Sequence, residues 1–168
     1  MKKQTANFAP TSIQSLCGSS PNITLVSAAI RDNGRPILNC SNGVIYSYDP
    51  LLFTWVKLAE RWWAEGSDFW QGRQRGNGSL ANRGILTSIE GSIAGTPDES
   101  ASEKPRPSWW SAALTLGHLE TRLHATRLLD SPQEYRQALL VYAKKIADEG
   151  FKNKAEELVK ELYGPVYW

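Results

Sequence analysis

The stretch Ser131–Trp168, SPQEYRQALLVYAKKIADEGFKNKAEELVKELYGPVYW, contains the start and stop signals of two consecutive helices. Ser131 is a typical N-cap residue, and Pro132 suits the first helical position because it has no backbone N–H to satisfy. Glu134 stands three residues after the cap, so the two side chains can form a capping box over each other's backbone N–H groups. Gly150 then ends the helix.

Apolar residues follow helical spacing in both halves of this stretch. In the first helix they recur at i, i+4, i+7, i+8 and i+11, as Tyr135, Leu139, Tyr142, Ala143 and Ile146. Asn153 and Glu156 repeat the capping pattern for a shorter helix that Gly164 ends. The apolar residues of this second helix are Ala155, Leu158, Val159 and Leu162. The two patterns predict a helical hairpin.

A third helix is predicted upstream, from Ser108 as N-cap to about Leu129. Its apolar residues at helical spacing are Ala112, Leu116, Leu119 and Leu123. Because the turn at Asp130 and Ser131 is short, this helix should pack antiparallel on the stripe that begins at Tyr135.

The N-terminal part of the chain has the pattern of a β-meander. Four short strands are predicted at Ile23–Ile30, Pro36–Cys40, Val44–Tyr48 and Phe53–Leu58. Asn33-Gly34 and Asn42-Gly43 separate the first three, and Asn-Gly is the strongest short-range signal for a tight hairpin. A four-stranded antiparallel meander has the length of one propeller blade. A single blade leaves strand edges and one face uncovered, so either helices of this chain or further protein should cover it.

The predicted fold class is α+β, a blade-like antiparallel meander followed by a helical unit of about three helices. Residues 1–70 form the meander part, and residues 108–168 form the helical part of the same domain. Residues 71–107 between them are rich in Gly, Pro and Ser and are predicted to be a flexible loop, with one weak strand at Gly84–Ile93.

Clustered aromatic residues are the candidates for a protein interface: Trp62, Trp63, Phe69, Trp70, Trp109 and Trp110. Such residues either pack on the sheet or form surface anchors of the kind that concentrate binding energy. Trp109 and Trp110 are adjacent on a predicted helix and point about 100° apart, so one core cannot take both.

The charge balance argues against a broad electrostatic binding surface. The chain has 19 Lys and Arg against 17 Asp and Glu, a net charge of +2. No apolar run approaches the ~20 residues of a membrane span, and no signal peptide is recognised, so no membrane partner is expected. Direct contact with nucleic acid is not expected either. The alternative is a nucleic-acid-binding module that uses the loop with Arg73, Arg75 and Arg83, although a solvated linker explains that loop better.

Catalytic and metal-binding patterns are missing from the sequence. His118 and His124 are six residues apart on one predicted helix, unlike the i, i+4 pair that binds a metal. Cys17 and Cys40 have no metal-site spacing and are expected to be small buried residues rather than a disulfide. We therefore predict no enzyme, no cofactor and no metal.

The C-terminal half, LTLGHLETRL…SPQEYRQALLVYAKKIADEGF…AEELVKELYGPV from Leu114 to Val166, resembles the C-terminal domain of HIRA-type histone chaperones. The segment Ser27–Leu58 resembles the strand region that precedes these helices in the family. The resemblance implies a fragment of a larger, fungal-type nuclear subunit. It also implies a scaffold that self-associates, as a trimer in the family, docks a large helical-repeat subunit and handles histones only indirectly. The implied role is replication-independent nucleosome assembly and transcriptional repression.

Overall fold

A computed structural model describes residues 12–17, 23–70, 84–94 and 108–164. Four strands and six helices lie in these ranges. The strands are β1 (Leu25–Ile30), β2 (Pro36–Cys40), β3 (Val44–Asp49) and β4 (Thr54–Glu60). The helices are α1 (Gln14–Cys17), α2 (Arg61–Gly66), α3 (Ile85–Ala94), α4 (Ser108–Leu128), α5 (Pro132–Asp148) and α6 (Lys152–Tyr163). The α+β prediction, with about three C-terminal helices after a meander, is confirmed.

The sheet is an antiparallel meander with strand order β1-β2-β3-β4. Turns form at both Asn-Gly pairs, and Gly34 and Gly43 take positive φ values of 79° and 73°. Asn33 and Asn42 do not take positive φ, so neither turn is the tight two-residue type that Asn-Gly predicts. The predicted strand bounds agree with the observed ones to within two residues. The last strand begins at Thr54, one residue later than predicted, since Phe53 belongs to the turn.

Helices of this chain cover one face of the sheet. Ile45 and Leu58 on that face pack with Leu86 of α3 and Ala125 of α4 in the main core. The other buried members of this core are Ala59, Trp63, Ile93, Leu128 and Leu129. All six residues of β1 are exposed, so the core lies under β2 to β4 and the outer strand contributes only backbone pairing.

The three C-terminal helices form a second core. Its buried members are Leu116, Leu119, Tyr142, Ile146 and Leu158. Tyr142 of α5 donates a hydrogen bond to Glu120 of α4, and Arg127 of α4 donates one to Tyr135 of α5. Because the later residue of each helix pairs with the earlier residue of the other, α5 runs antiparallel to α4, as predicted. The buried stripe of α5 is Glu134, Ala138, Tyr142 and Ile146, while Tyr135, Leu139 and Ala143 are half-buried. The predicted apolar stripe was therefore wrong by one residue in the first turns of α5, where Glu134 and Ala138 are buried instead of Tyr135 and Leu139.

The structure corrects two predicted caps. Ser131 does stand at the N-cap of α5, but its hydroxyl donates to the Glu134 carboxylate instead of binding the backbone. Helix α6 has Phe151 at its N-cap, not Asn153. The capping-box prediction fails for a physical reason, because the buried Glu134 carboxylate bonds stronger partners on another helix.

The prediction of a weak strand at Gly84–Ile93 is wrong, because this segment is helix α3. Residues 84–94 are therefore not an irregular loop. Ile85, Ile89 and Ile93 recur every four residues and turn one face toward the main core. Residues 71–83 and 95–107 lie outside the described residues, so the division of the chain at residues 70 and 107 stays a prediction.

Candidate protein-interaction groove

A buried cluster of charged side chains holds the helices under the sheet. His118 and Arg122 project from α4 toward Glu90 of α3. His118 Nε2 lies 2.9 Å from Glu90 Oε1, and an ionised carboxylate can only accept, so Nε2 carries the proton. Arg122 bonds the other oxygen of Glu90, and its Nη2 lies 3.2 Å from Oε1 of Glu134 on α5. The cluster joins three helices.

Glu134 also caps helix α3 from outside that helix. Its carboxylate accepts hydrogen bonds from the backbone N–H groups of Leu86 at 3.0 Å and Thr87 at 2.9 Å, and from the Thr87 hydroxyl at 2.7 Å. These N–H groups belong to the first turn of α3, where no intrahelical acceptor exists and a negative charge is favourable. Gly84 is required beside this contact, because a Cβ there would overlap the Glu134 side chain.

Both carboxyl groups of the cluster are held in the ionised form. Burial alone would raise the pKa of Glu90, but the hydrogen bond from His118 and the charge of Arg122 outweigh burial and lower it. Burial would likewise raise the pKa of Glu134, but the hydrogen bonds from Thr87, Leu86 and Ser131 outweigh burial and lower it. Both carboxylates are therefore charged partners of Arg122 inside the protein.

Two of the six predicted interface aromatics cover this charged cluster. Trp63 is buried and stacks on His118, with ring centroids 4.5 Å apart and planes 15° from parallel. Phe69 meets His118 edge-on at 5.6 Å and lies under the Arg122 guanidinium, 5.2 Å from its ring centroid. Both rings shield the ionic cluster from water, which is a packing role.

The other four aromatics divide between interior and surface. Trp70 is buried, and Trp110 is half-buried against Gly66, where a Cβ would overlap the Trp110 ring. Trp62 is 46% exposed and Trp109 is 68% exposed. Of the six, only Trp62 and Trp109 are therefore exposed, and Trp109 is the one that shows most of its side chain to solvent.

A shallow groove of about 360 Å³ lies between β4 and α4. Its lining residues are Val56, Lys57, Glu60, Trp63, Ala113, Leu114, Gly117 and Thr121. Trp109, Ala113 and Gly117 recur every four residues, so Trp109 stands at the end of the helical face that forms one wall. At the other wall Lys57 Nζ pairs with Glu60 Oε2 at 2.6 Å. The groove thus combines an apolar bed with an internally paired rim, and the exposed Trp109 lies one helical turn before Ala113 on α4.

The sequence interpretation missed the turn between β3 and β4. Leu51, Leu52 and Phe53 are 85%, 59% and 80% exposed, so three consecutive apolar side chains face solvent. Asp49-Pro50 before them is a recognisable turn signal, but the strand prediction placed Phe53 in the sheet. The domain therefore exposes a second apolar surface, at the end of the sheet, besides the exposed tryptophans.

The described residues give no support to metal or membrane chemistry. They contain no group of three His, Cys, Asp or Glu side chains that could hold a metal ion. No helix among them is long and apolar enough to cross a membrane. Cys40 is buried, as expected. Arg73, Arg75 and Arg83, which carry the nucleic-acid alternative, lie outside the described residues.

Comparison with known proteins identifies the family. The family model described as "Hira: TUP1-like enhancer of split" matches residues 1–162. The chain is 36% identical to Protein HIR1 of Mycosarcoma maydis, over 95% of this chain and 18% of that protein. It is 30% identical to Protein HIRA of Gallus gallus, over 99% of this chain and 16% of that protein. The crystal structure of HIRA(644-1017) matches with a TM-score of 0.66 at 28% identity, over 94% of this chain and 47% of that chain.

The meander, the helical unit after it and these matches define a Hira-type domain, and the chain belongs to the Hira family. Its similarity extends to both the fungal HIR1 proteins and HIRA. The chain spans only 16% to 18% of the length of these two curated relatives. What the longer proteins do as a whole is therefore a separate question from what this domain contributes.

Proposed function

We propose that this chain is a non-catalytic scaffold region of a HIRA-type histone chaperone complex in the nucleus. It self-associates, in the form of a trimer, and docks a large helical-repeat subunit, while histones are handled by other parts of the assembly. The complex acts in replication-independent nucleosome assembly and transcriptional repression. The observation that carries this proposal is the β4–α4 groove with Trp109 at its end.

The distribution of polar groups supports binding over catalysis. The titratable cluster of His118, Arg122 and Glu90 is buried and internally paired, so it offers no reactive group to a substrate. The surface groove is lined mainly by apolar and small side chains, and its charged rim pair is already satisfied. An apolar bed beside a mostly exposed tryptophan is the arrangement in which binding energy concentrates at protein interfaces.

The test separates interface tryptophans from core tryptophans. Trp109→Ala and Trp62→Ala should leave the circular dichroism spectrum unchanged and weaken capture of the scaffold subunit by about 2–4 kcal/mol each. Trp63→Ala should instead lower the free energy of unfolding by about 3–5 kcal/mol, because Trp63 is 4% exposed and stacks on His118.

Tyr163→Ala is the matched control, because this aromatic side chain is 83% exposed but lies on α6, away from the groove. It should bind the scaffold subunit like the parent. If Trp109→Ala and Trp62→Ala fold, associate and capture the scaffold subunit as well as Tyr163→Ala does, neither exposed tryptophan belongs to the docking surface.

A further inference from the structure

Two arginines flank the turn between β1 and β2 without a carboxylate partner. The Arg31 N–H donates to the Arg35 carbonyl at 3.0 Å, and the Gly34 N–H donates to the Arg31 carbonyl at 2.8 Å, so two backbone bonds close the turn. Both arginine side chains are half-buried. In the part of the chain that the structure describes, neither guanidinium forms a hydrogen bond or a salt bridge. The turn therefore carries two positive charges that no contact of the fold neutralises.

The two side chains lie on the same face of the sheet. Arg31 and Arg35 continue the alternation of Ala29 and Ile37, which are paired across β1 and β2, and Ile37 packs on the main core beneath the helices. Opposite residues of an antiparallel pair have Cβ atoms about 5 Å apart, and like charges in this position are destabilising. The hairpin thus holds two guanidinium groups side by side, and an anion between them would relieve their repulsion.

Arg31 is partly removed from water. Its Nε and Nη1 atoms are buried and have no hydrogen-bond acceptor. Burying N–H groups without an acceptor lowers the stability of a fold. A charge in such a position also attracts an anion more strongly than a charge in bulk water does, because the surrounding dielectric is lower. Arg31 is therefore well placed to form an ion pair with an incoming anion.

The neighbouring carboxylates have other partners. Asp130 Oδ2 accepts a hydrogen bond from Asn33 Nδ2 at 3.0 Å. Asp49, which the β2–β3 register places opposite Arg35, lies 3.1 Å from His124 Nε2. The bond from Asn33 also holds the turn beside the first residues of α5, and the N-terminus of a helix favours a negative charge. The surroundings of the turn therefore favour an added anion over rearrangement of these carboxylates.

We propose that Arg31 and Arg35 bind one phosphoryl group carried by a side chain of a partner protein. A phosphoserine or phosphothreonine has close to two negative charges and three acceptor oxygens, and planar guanidinium groups match this geometry. The site is separate from the β4–α4 groove, because neither arginine lines that groove. It does not depend on self-association of the chain.

A single phosphoryl group suits this turn better than a nucleic acid strand does. A strand carries a phosphate at every nucleotide, and its affinity comes from several cations that neutralise several phosphates. Asp32 is exposed within the turn, and Asp130 is bonded to it through Asn33, so phosphates next to the bound one would be repelled. The net charge of +2 supplies no broad attraction to offset this. The partner segment should therefore carry one phosphorylated residue and no further acidic residues beside it.

The test measures binding to the 168-residue chain through the backbone amide signals of residues 31–35 in NMR spectra. Four probes are used: inorganic phosphate, a short Gly-Ser peptide with one phosphoserine, the same peptide without phosphate, and a short single-stranded DNA. The phosphoserine peptide and inorganic phosphate should shift these signals in the parent chain, and added NaCl should weaken both effects. The peptide without phosphate should leave them unchanged.

The site variants are Arg31→Gln and Arg35→Gln, which each remove one charge and keep most of the side-chain length. Each should bind the phosphoserine peptide about 10- to 100-fold more weakly than the parent, the range expected for loss of a charged hydrogen bond. Arg35→Lys should lose less affinity than Arg35→Gln, because lysine keeps the charge but not the planar fork. Lys144→Gln is the control, an exposed lysine about 18 Å along α5 from its first residue, and it should bind like the parent.

A measurement without any probe separates binding from a structural role. Arg31→Gln should unfold at the same urea concentration as the parent or a higher one, because it removes a charge that has no partner in the fold. If Arg31→Gln does not fold, Arg35→Gln decides the test, since Arg35 has no buried nitrogen without an acceptor.

Three results would overturn the proposal. The first is that neither phosphate probe shifts the turn signals, or that both site variants bind as tightly as the parent. The second is that inorganic phosphate binds but the phosphoserine peptide does not, which would show a site for the free ion. The third is that DNA binds more tightly than the phosphoserine peptide and loses affinity in the same variants, which would show a contact with nucleic acid.

Discussion

The sheet and the helical unit of this domain are stabilised in opposite ways. The sheet is open, with all six residues of β1 exposed, and its turns are defined by neighbours in sequence such as Asn33-Gly34. The helical unit is closed around charged side chains that come from three helices, among them Glu90 and Arg122. The sheet can therefore be altered at its outer strand with little loss, whereas the helical unit depends on contacts between residues far apart in the chain.

Removing the central cation should have the largest effect. Arg122→Met keeps the length of the side chain but leaves Glu90 and Glu134 buried without their shared cation. Breaking a buried ion pair by removing one partner costs about 3–5 kcal/mol, because an uncompensated charge remains. We expect a loss of this size in the free energy of unfolding measured in urea.

Arg127→Met is the matched control for that measurement. Arg127 lies on the same helix and pairs with Glu161, but both side chains are about half exposed. An exposed pair contributes at most about 1 kcal/mol, so this variant should stay close to the parent. Equal losses for the two arginines would show that the buried cluster does not stabilise the helical unit.

The second effect concerns the cap that Glu134 supplies to α3. Glu134→Gln keeps the shape but removes the charge that accepts from Leu86 and Thr87 and pairs with Arg122. We expect a loss of about 1–3 kcal/mol in the free energy of unfolding at pH 7. Hydrogen exchange should show the loss first in α3. An unchanged protection of α3 amides would contradict the role of Glu134 as its cap.

This cap also explains which parts of the fold could be predicted from sequence. The hairpins were predictable because Asn-Gly turns act locally, and α5 because its apolar residues recur along one segment. Helix α3 was mistaken for a weak strand because Glu134, which caps it, is 47 residues from Thr87 in the chain. The candidate site was only half predictable for the same reason. Trp62 and Trp63 look alike in sequence, and only tertiary contacts, with the main core and with His118, decide that Trp63 is covered.

Acid should reduce the difference between Glu134→Gln and the parent. The pKa of Glu134 is lowered in the folded chain, so its carboxylate stabilises the fold at pH values above the unfolded pKa of roughly 4.3. That contribution is lost as the pH falls from there through the lower folded pKa. Unfolding in urea at pH 7, 5, 4 and 3 should show the parent weakening toward the variant. A gap that stays constant to pH 3 would mean that the charge of Glu134 is not what stabilises α3.

The smallest effect is expected at the outer strand. Val26 is 62% exposed on β1, at the point where the pairing register with β2 shifts, so Val26→Thr should change the free energy of unfolding by less than about 0.5 kcal/mol. Ile45→Val in the same sheet should cost about 0.5–1.5 kcal/mol, because Ile45 is 3% exposed and lies in the main core. Both variants should be measured in urea at two protein concentrations. A different outcome is that, at the higher concentration only, Val26→Thr lowers the free energy of unfolding as much as Ile45→Val does. Another molecule would then cover β1 in solution, and β1 would be exposed only in the isolated chain.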